Sequence, residues 1–390
     1  MCHAGVTVWG VPAGGEPVCG GGAPARICGV ERASSRIARA VALLSLVAAA
    51  CSRDTPPARA WPEADRLFRQ DPRWLGADAA FSVPLGDDRI LWLFGDTFVA
   101  TSPAHVRAES TMVRNTVGVQ RGAHPVTSPM TFHWRGTDVA PASFFAEDGD
   151  RWYWPSHGVR LDRALVLFLQ GVGSKPDDAL GFEAEGWRAV IVDDASGEPP
   201  EWQLRLVAPA GAPPGIAVGA AVVDLGEHVL ALAIREPGDH AGFLVRWRRG
   251  DLAAGALDAA EWWTVDRGWV AQRELRGGPS AVLRDAGPES SLHFDPARRK
   301  WIHVRSDGFG ATDIVVAEAD APQGPWSEPR VVFRPPESDR DGVLVYAAKA
   351  HPELAAPGLA ITYASNTLGD FGRLVRDTSL YWPRFVVLPP

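Results

Sequence analysis

The sequence predicts an all-β fold, and more specifically a five-bladed β-propeller. Short apolar runs separated by Gly, Pro and Asp turn signals fill the chain after residue 60, and no amphipathic helix longer than a few turns is visible. The composition suits many short strands with tight turns, with 40 Gly, 33 Pro and 16 Trp among 390 residues. A weak repeat with a long period favours a propeller over a pair of β-sandwiches, which is the alternative.

The strand-like runs combine Val, Ile, Leu and aromatic residues, and turn signals such as Asp148-Gly-Asp150 and Leu225-Gly-Glu227 separate nearly all of them. These runs predict strands at Ile90–Phe94, Thr116–Gln120, Ala164–Leu169, Trp187–Val192, Val218–Val223, Val229–Ile234, Phe243–Trp247, Lys300–Arg305, Ile314–Ala317, Arg330–Phe333, Ala360–Ala364 and Phe385–Leu388.

Five further segments share one form, in which a tight Gly, Pro or Ala entry leads into a short strand, a turn and a more apolar strand. They are Leu75–Val83, Tyr153–Leu161, Ala217–Val223, Gly287–Phe294 and Tyr346–Leu354, with reference positions Asp78, Ser156, Gly219, Glu289 and Lys349. The references lie about 60–80 residues apart, which leaves room for the four strands of one blade in each interval. Because innermost strands line a common axis, residues of the five segments are expected to converge.

The C-terminal run Ser379–Leu388 is too apolar for a loose tail. We expect it to form a strand that seals the ring near the segment before Trp74, since propellers remove exposed edges by joining both ends of the chain in one blade. Pro383 lacks an N–H donor, which favours an outer or edge position for this strand.

The net charge of −8 and the lack of a Lys/Arg stripe exclude nucleic acid as an expected partner. A neutral or cationic small substrate remains open. Trp supplies flat apolar faces on which sugar rings stack, although most of the Trp residues are expected to pack between sheets. We expect a monomer that binds a polysaccharide or oligosaccharide.

Residues 1–51 are interpreted as an over-extended N-terminus followed by a signal peptide. Arginines precede the apolar run Ala40–Ala50, and Val47-Ala-Ala-Ala-Cys51 resembles a bacterial lipobox, which implies cleavage before Cys51 and a lipid on its thiol. Plain secretion is the alternative. Residues 52–60 are predicted to be a linker and residues 61–390 the propeller. The protein is therefore expected outside the cytoplasm, with any membrane contact through the anchor at Cys51.

Two carboxylates occupy unusual places in one predicted hairpin. Asp78 comes before the alternating apolar run from Phe81, Asp96 follows the strand Ile90–Phe94, and Leu85-Gly-Asp-Asp-Arg89 supplies the turn. The hairpin predicts two acids at the ends of adjacent strands. Hydrolysis of a glycosidic bond needs such a pair, one to donate a proton and one to attack the sugar or activate water. Alternatively, the Asp96 side chain caps a turn by accepting hydrogen bonds from nearby backbone N–H groups.

The other repeat segments add candidates near the same axis. Lys349 lies among alanines and is costly to bury alone, so it is expected to face a carboxylate. Glu289, in the tight turn that leads into the fourth segment, is a third candidate acid. The alternative interpretation is that it is an exposed residue of a surface turn. His157 follows Ser156 in the second segment. His351 precedes a Pro, and it either lines the site or satisfies backbone groups.

Other chemistries have little support in the sequence. No phosphate-binding Gly-rich loop, His-Glu-x-x-His helix or Gly-x-Ser-x-Gly elbow occurs, and Glu353 beside His351 lacks a second His at zinc-ligand spacing. We therefore expect no metal site and no required cofactor, while a single structural cation held in the funnel by His and water stays an open alternative.

Several motifs together resemble the bacterial family known as domain of unknown function 4185. They are Trp74-Leu-Gly-Ala-Asp-Ala-Ala-Phe-Ser82, Leu91-Trp-Leu-Phe-Gly-Asp-Thr97, Arg114-Asn-Thr-Val-Gly-Val-Gln120, Trp152-Tyr-Trp-Pro155, Gly324-Pro-Trp326 and Ala350-His-Pro-Glu-Leu354. Part of that family is classed as glycoside hydrolase family 183, endo-acting D-arabinan hydrolases, and more remotely the chain is similar to five-bladed arabinanases and fructosidases. The resemblance implies leading catalytic roles for Asp78 and Asp96, with Glu289 as a weaker third candidate.

The chain departs from the expected family pattern after Tyr-Trp-Pro, where Ser156-His157 replaces a small residue and an acid. The pair Asp78/Asp96 and the abundant Trp lead to the first hypothesis, a secreted or lipid-anchored glycoside hydrolase acting on a furanoside-containing or related polysaccharide. The departure at Ser156-His157 favours the alternative, a glycan-binding propeller without catalysis. The residues predicted to contact substrate are Trp74, Asn115, Trp154, His157, Lys349, His351 and Asn366.

Overall fold

A computed structural model describes residues 58–176, 181–367 and 369–390 of the chain. Five small antiparallel sheets of four or five strands form the blades of a β-propeller, which confirms the predicted fold class. The predicted signal peptide, Cys51 and the first part of the linker lie outside the described residues. No helix within the described ranges is long and apolar enough to cross a membrane.

Each blade is numbered here in chain order, and its strands are given from the axis outwards. Blade 1 contains β2 (Trp74–Gly86), β3 (Arg89–Ala100), β5 (Thr116–Arg121) and β6 (Met130–His133), with β4 (Ser110–Val113) also paired to β3. Blade 2 contains β9 (Arg151–Leu161), β10 (Ala164–Ser174), β11 (Phe182–Val192) and β12 (Arg205–Val207). Blade 3 contains β13 (Ile216–Asp224), β14 (His228–Arg235), β15 (Gly242–Arg248), β16 (Glu261–Thr264) and β17 (Gly268–Ala271). Blade 4 contains β18 (Ser291–Asp295), β19 (Lys300–Ser306), β20 (Ile314–Ala319) and β21 (Arg330–Phe333). Blade 5 contains β22 (Leu344–Ala350), β23 (Leu359–Asn366), β24 (Arg384–Leu388) and β1 (Arg59–Ala60).

The remaining regular elements are short. A small separate ribbon pairs β7 (Arg135–Gly136) with β8 (Pro141–Ala142), and the α-helices are α1 (Pro62–Asp65), α2 (Arg249–Ala254) and α3 (Phe371–Arg376). Single 3₁₀ turns occur at Arg66–Arg69, Arg107–Glu109, Pro199–Glu201, Leu257–Ala259, Gln272–Glu274 and Pro336–Asp339.

The five repeated segments form the innermost strands, as the spacing predicted. Four of the five reference positions lie within β2, β9, β13 and β22, and Glu289 lies two residues before β18. All twelve individually predicted strands also fall within observed strands. The alternation of apolar residues between turn signals was therefore a sufficient guide to the blades.

The hairpin between β2 and β3 has the predicted turn. Asp87 and Asp88 are its two central residues, with positive φ angles of 50° and 57°. This is the backbone conformation that a two-residue turn needs in order to match the twist of the flanking strands, and Asp tolerates it better than most residues.

The ring closes in blade 5 through both ends of the described chain. β24 lies between β23 and β1, with Arg59 paired to Val387 and Ala60 to Val386. The predicted sealing strand is confirmed in its pairing, but it is an internal strand and Pro383 precedes it. The linker is also shorter than predicted at its C-terminal end, because Arg59–Ala60 supply the outermost strand.

A separate hydrophobic cluster fills the space between each neighbouring pair of blades. Between blades 1 and 5 this cluster contains Trp74, Phe94 and Phe385, together with Phe68 from the segment that precedes β2. The Phe68 and Phe385 rings are stacked, with centroids 5.3 Å apart. Closure therefore depends on apolar packing as well as on strand pairing.

Deleting Tyr381–Pro390 should lower the melting temperature by more than about 10 °C or prevent folding, because the deletion removes β24 and uncovers the cluster between blades 1 and 5. Deleting only Pro389–Pro390, which follow β24, is the matched control and should leave the melting temperature unchanged. Calorimetry or circular dichroism melts measure both. A longer deletion that melts like the wild type would mean that the ring does not close through β24.

Candidate functional site

Asp78 lies in a bulged part of β2. The pairing of β2 with β3 shifts register on both sides of Ala79, and Ala79 and Ala80 have positive φ angles of 62° and 61°. Alanine seldom adopts this conformation, so the surroundings must hold it. A Cβ atom at Gly95 would collide with the Asp78 carboxyl, which explains the Gly before Asp96. Both acids thus lie inside neighbouring strands, and the prediction that they lie at strand ends is wrong.

Two tyrosine hydroxyls hold the Asp78 carboxyl. Tyr346 of β22 donates to Oδ2 at 2.7 Å, and Tyr381, which lies before β24, donates to the same oxygen at 3.2 Å. Burial, and after it the negative charge of Glu289, raises the pKa of Asp78 to about 7, although both hydrogen bonds oppose the rise. Asp78 can therefore exchange a proton near neutral pH.

Asp96 is bound by two side chains. Trp154 Nε1 donates to Oδ1 at 2.9 Å, and Arg114 Nη1 lies 3.3 Å from Oδ2. The Arg114 guanidinium also lies 4.4 Å from the centroid of the Trp152 ring, which fixes its position. Burial, and then the charge of Asp78, raises the pKa of Asp96 to about 7. The Asp96 side chain is still 17% exposed to solvent.

The third acid, Glu289, faces the buried amino group of Lys349 at 3.9 Å, which confirms that this Lys is paired with a carboxylate. Lys349 Nζ also donates to the carbonyl oxygens of Ala79 and Ala347 and lies 4.5 Å from the centroid of the Phe81 ring. Burial lowers the pKa of Lys349 to about 8 and raises the pKa of Glu289, and the attraction between the two groups opposes both shifts.

These three acids form what we call the acidic cluster: Asp78, Asp96 and Glu289. The structure thus brings together all three residues that the sequence marked as candidate acids. They face two cations, Arg114 and Lys349, so one negative charge would remain uncompensated if all three acids were ionised. In a partly buried site this imbalance favours retention of one proton within the cluster near neutral pH.

Two residues predicted to contact substrate lie in the core instead. Trp74 is 0% exposed and stacks on Phe132 at 4.5 Å, so no face of its ring is open to a sugar. Asn115 is also fully buried, and its amide bonds to the backbone of Phe145 and to the carbonyl oxygen of Tyr153. Its role is to attach blade 1 to the neighbouring segments.

Trp154 and Asn366 do lie at the acidic cluster and are only half-buried. Trp154 reaches Asp96 as described, and Asn366 Nδ2 donates to the Tyr346 hydroxyl at 3.2 Å. Lys349 contacts the cluster from within the core, where it is shielded from a substrate. Substrate contact by Trp154 and Asn366 stays a prediction.

His157 and His351 line a different space, an axial cavity of about 320 Å³. Its lining includes Ser82, His157, His293, Lys349, His351 and Glu353. In each innermost strand that carries them, the lining residues come later in the chain than the residues at the acidic cluster. The cavity therefore lies further along the axis, on the other side of Lys349 from the acids. The structure therefore does not bring these two histidines to the acids.

The two histidines link blades. His157 Nε2 donates to the Ser82 carbonyl oxygen at 2.9 Å, and its Nδ1 accepts from the Val222 N–H at 2.8 Å. His351 bonds to the Ser82 hydroxyl and, at 2.7 Å, to that of Thr362. Burial lowers the pKa of His157 to about 4 and lowers that of His351, so both are neutral structural groups near pH 7.

Sequence reasoning missed three residues that contact the acids: Tyr346, Tyr381 and Arg114. Tyr346 had a usable signal, because it stands at the start of an innermost strand in a chain with four Tyr residues. Arg114 belongs to a segment used for the family resemblance, but it lies between strands. Tyr381 carried no local signal, and its φ of 62° is visible only in the structure.

Among the residues that the structure describes, no group of three or more His, Cys, Asp and Glu side chains is arranged to hold a metal ion.

The family model described as domain of unknown function DUF5005 matches residues 63–203 and 288–389. The chain belongs to this family. The two matched ranges contain the whole acidic cluster and Lys349, and the gap between them contains blade 3. The match confirms neither the resemblance to domain of unknown function 4185 nor that to glycoside hydrolase family 183, and both stay predictions.

Solved structures share the architecture at low sequence identity. A Bacteroides ovatus ATCC 8483 protein named as a candidate hydrolase superposes with a TM-score of 0.68 at 16% identity, covering 86% of this chain and 92% of that one. An α-L-arabinofuranosidase of Podospora anserina gives 0.42 at 11% (80% and 91% covered), and an endo-arabinase of Bacteroides thetaiotaomicron gives 0.44 at 13% (81% and 94% covered). No curated protein sequence matches the chain. The first of these likenesses supports the propeller fold.

Removing the charge of Asp78 should stabilise the fold at high pH. Because the folded pKa of Asp78 is raised from 3.8 to about 7, its contribution to stability is complete below pH 4 and is lost as pH rises through 7. Asp78→Asn should therefore melt roughly 2–4 °C above the wild type at pH 8, with a smaller difference at pH 5. Glu328→Gln, at an exposed acid, is the control. Equal differences at both pH values would contradict the raised pKa.

Proposed function

We propose that this propeller is a glycoside hydrolase that acts on a furanoside-containing or related polysaccharide. The observation that carries the proposal is the acidic cluster, in which three carboxyl groups from blades 1 and 4 meet near the axis with raised pKa values. Glycosidic hydrolysis requires one protonated and one ionised carboxyl group on either side of the bond. A site of this kind can hold both forms at one pH.

Glu289 is assigned the role of the general acid. Burial raises its pKa, although the charge of Lys349, 3.9 Å away, opposes the rise, whereas Asp78 and Asp96 each accept two closer hydrogen bonds that stabilise the ionised form. Glu289 is also accessible, with 28% of its side chain exposed. In the proposed reaction it donates its proton to the glycosidic oxygen as the bond from that oxygen to the anomeric carbon breaks.

Asp78 is assigned the second role, as the nucleophile or as the base that activates water. The two tyrosine hydroxyls fix the orientation of its carboxyl group and leave Oδ1 without either bond. Asp96, held by Arg114 and Trp154, supplies a nearby negative charge that keeps a proton within the cluster. The anomeric form of the first product, measured by NMR, distinguishes attack by Asp78 from activation of water.

Asp78→Asn and Glu289→Gln should each reduce kcat by at least about 100-fold on the polysaccharide that the wild type cleaves. Release of reducing sugar from arabinan, arabinogalactan and fructan is the measurement. Asp88→Asn is the matched control, since Asp88 lies in the turn at the other end of the same β2–β3 hairpin and is exposed. It should retain wild-type kcat.

The outcomes separate this proposal from a glycan-binding propeller without catalysis. Activity that survives Asp78→Asn unchanged removes Asp78 from the reaction. Calorimetric binding of a polysaccharide by the wild type with no release of reducing sugar would favour the glycan-binding protein. The observation that supports this alternative is His157 of blade 2, which is held between two backbone groups and cannot replace a carboxylate.

We also propose that Cys51 carries a lipid that anchors the protein outside the cytoplasm. The lipobox-like sequence before Cys51 and the arginines that precede the apolar run support this. Cys51→Ser should move the protein from the membrane fraction to the soluble fraction without changing its melting temperature, as fractionation and a thermal melt would show. The same soluble distribution for both forms would indicate plain secretion.

A further inference from the structure

Phe309 is an exposed aromatic residue on a well-anchored loop of blade 4. The loop joins β19 to β20, and 59% of Phe309 is open to solvent. The Val345 N–H donates to the Gly310 carbonyl oxygen at 2.7 Å, and the Thr312 hydroxyl donates to that of Asp307 at 2.6 Å. These bonds fix the loop against blade 5, so the exposed ring has a defined position.

That position is next to the acidic cluster. The ring centroids of Phe309 and Tyr346 lie 5.6 Å apart at an interplanar angle of 59°, and the Tyr346 hydroxyl donates to Asp78 at 2.7 Å. One aromatic ring and one hydrogen bond therefore separate Phe309 from the carboxyl group proposed to attack or activate water. A ligand unit that covers Phe309 would lie beside the unit that reacts.

We propose that Phe309 is a stacking platform for a sugar unit bound next to the one that reacts. The ligand is a sugar ring because its C–H face is apolar while its rim is polar, which suits an exposed aromatic ring next to Tyr346 and the Asp78 carboxyl group that Tyr346 binds. The inference rests on the proposed function and adds to it a binding subsite outside the acidic cluster. It also requires a substrate of more than one sugar unit.

Blade 4 provides a matched control for this residue. Phe294 of β18 is 44% exposed and contacts an aromatic ring in nearly the same geometry, with its centroid 5.8 Å from that of Trp301 and an interplanar angle of 57°. It lies beside the hairpin that joins β18 to β19, whereas Phe309 follows the other end of β19. Phe294 is thus an equivalent exposed ring at the opposite end of the same blade.

The test compares Phe309→Ala with Phe294→Ala on whichever of arabinan, arabinogalactan and fructan the wild type cleaves. Phe309→Ala should raise KM about 10-fold and leave kcat within about twofold, because stacking on a unit that does not react contributes equally to the ground state and the transition state. Phe294→Ala should change neither constant. A KM for Phe309→Ala that equals that of Phe294→Ala overturns the proposal.

Calorimetry with the same polysaccharides separates this inference from the proposed function. If a polysaccharide binds but is not cleaved, the hydrolase proposal fails. Weaker binding by Phe309→Ala, with unchanged binding by Phe294→Ala, would then still support Phe309 as a sugar-stacking platform. If cleavage occurs with an unchanged KM in Phe309→Ala, the platform fails and the hydrolase proposal stands. If no polysaccharide is bound or cleaved, both fail. Equal melting temperatures for the two variants exclude a folding effect.

Discussion

The buried amino group of Lys349 organises the axis at the point where the ring closes. It belongs to blade 5, donates to the Ala79 carbonyl oxygen of blade 1 and faces Glu289 of blade 4. An unpaired buried cation costs several kcal/mol, so these three blades must keep their relative positions for the group to remain charged. The same charge limits the rise in the pKa of Glu289. The geometry of the ring and the acid–base properties of the site therefore depend on one interaction.

The blades could be predicted from sequence because each strand carries its own alternation and its own turn signals. The closing strand pair was harder. β1 consists of Arg59 and Ala60, which is too short for any pattern, and its partner lies at the far end of the described chain. Pro383 suggested an edge strand. However, β24 begins at Arg384, one residue after Pro383, so the missing N–H of Pro383 removes no hydrogen bond from the sheet.

Within the site, sequence reasoning succeeded where a charge stands among apolar neighbours. Asp78 and Lys349 were conspicuous because burial of a charge requires a partner. Sequence reasoning failed for Trp74, because a motif does not show on which face of a bulged strand a side chain lies. The register shift at Ala79 breaks the alternation of side chains between the two faces of β2. Tyr381 reaches Asp78 from a loop whose path is set by tertiary packing alone.

The pairing of Arg59 with Val387 also has a kinetic consequence. Contacts between such distant residues carry a large loop-closure entropy if they form from an open chain, whereas the hairpins within each blade close short loops. The pairing therefore forms most readily after the other blades have compacted into an arc that already brings the two strands together. A contact made this late contributes little to the folding transition state, so weakening β1 or β24 would mainly accelerate unfolding and would shorten the lifetime of the native ring.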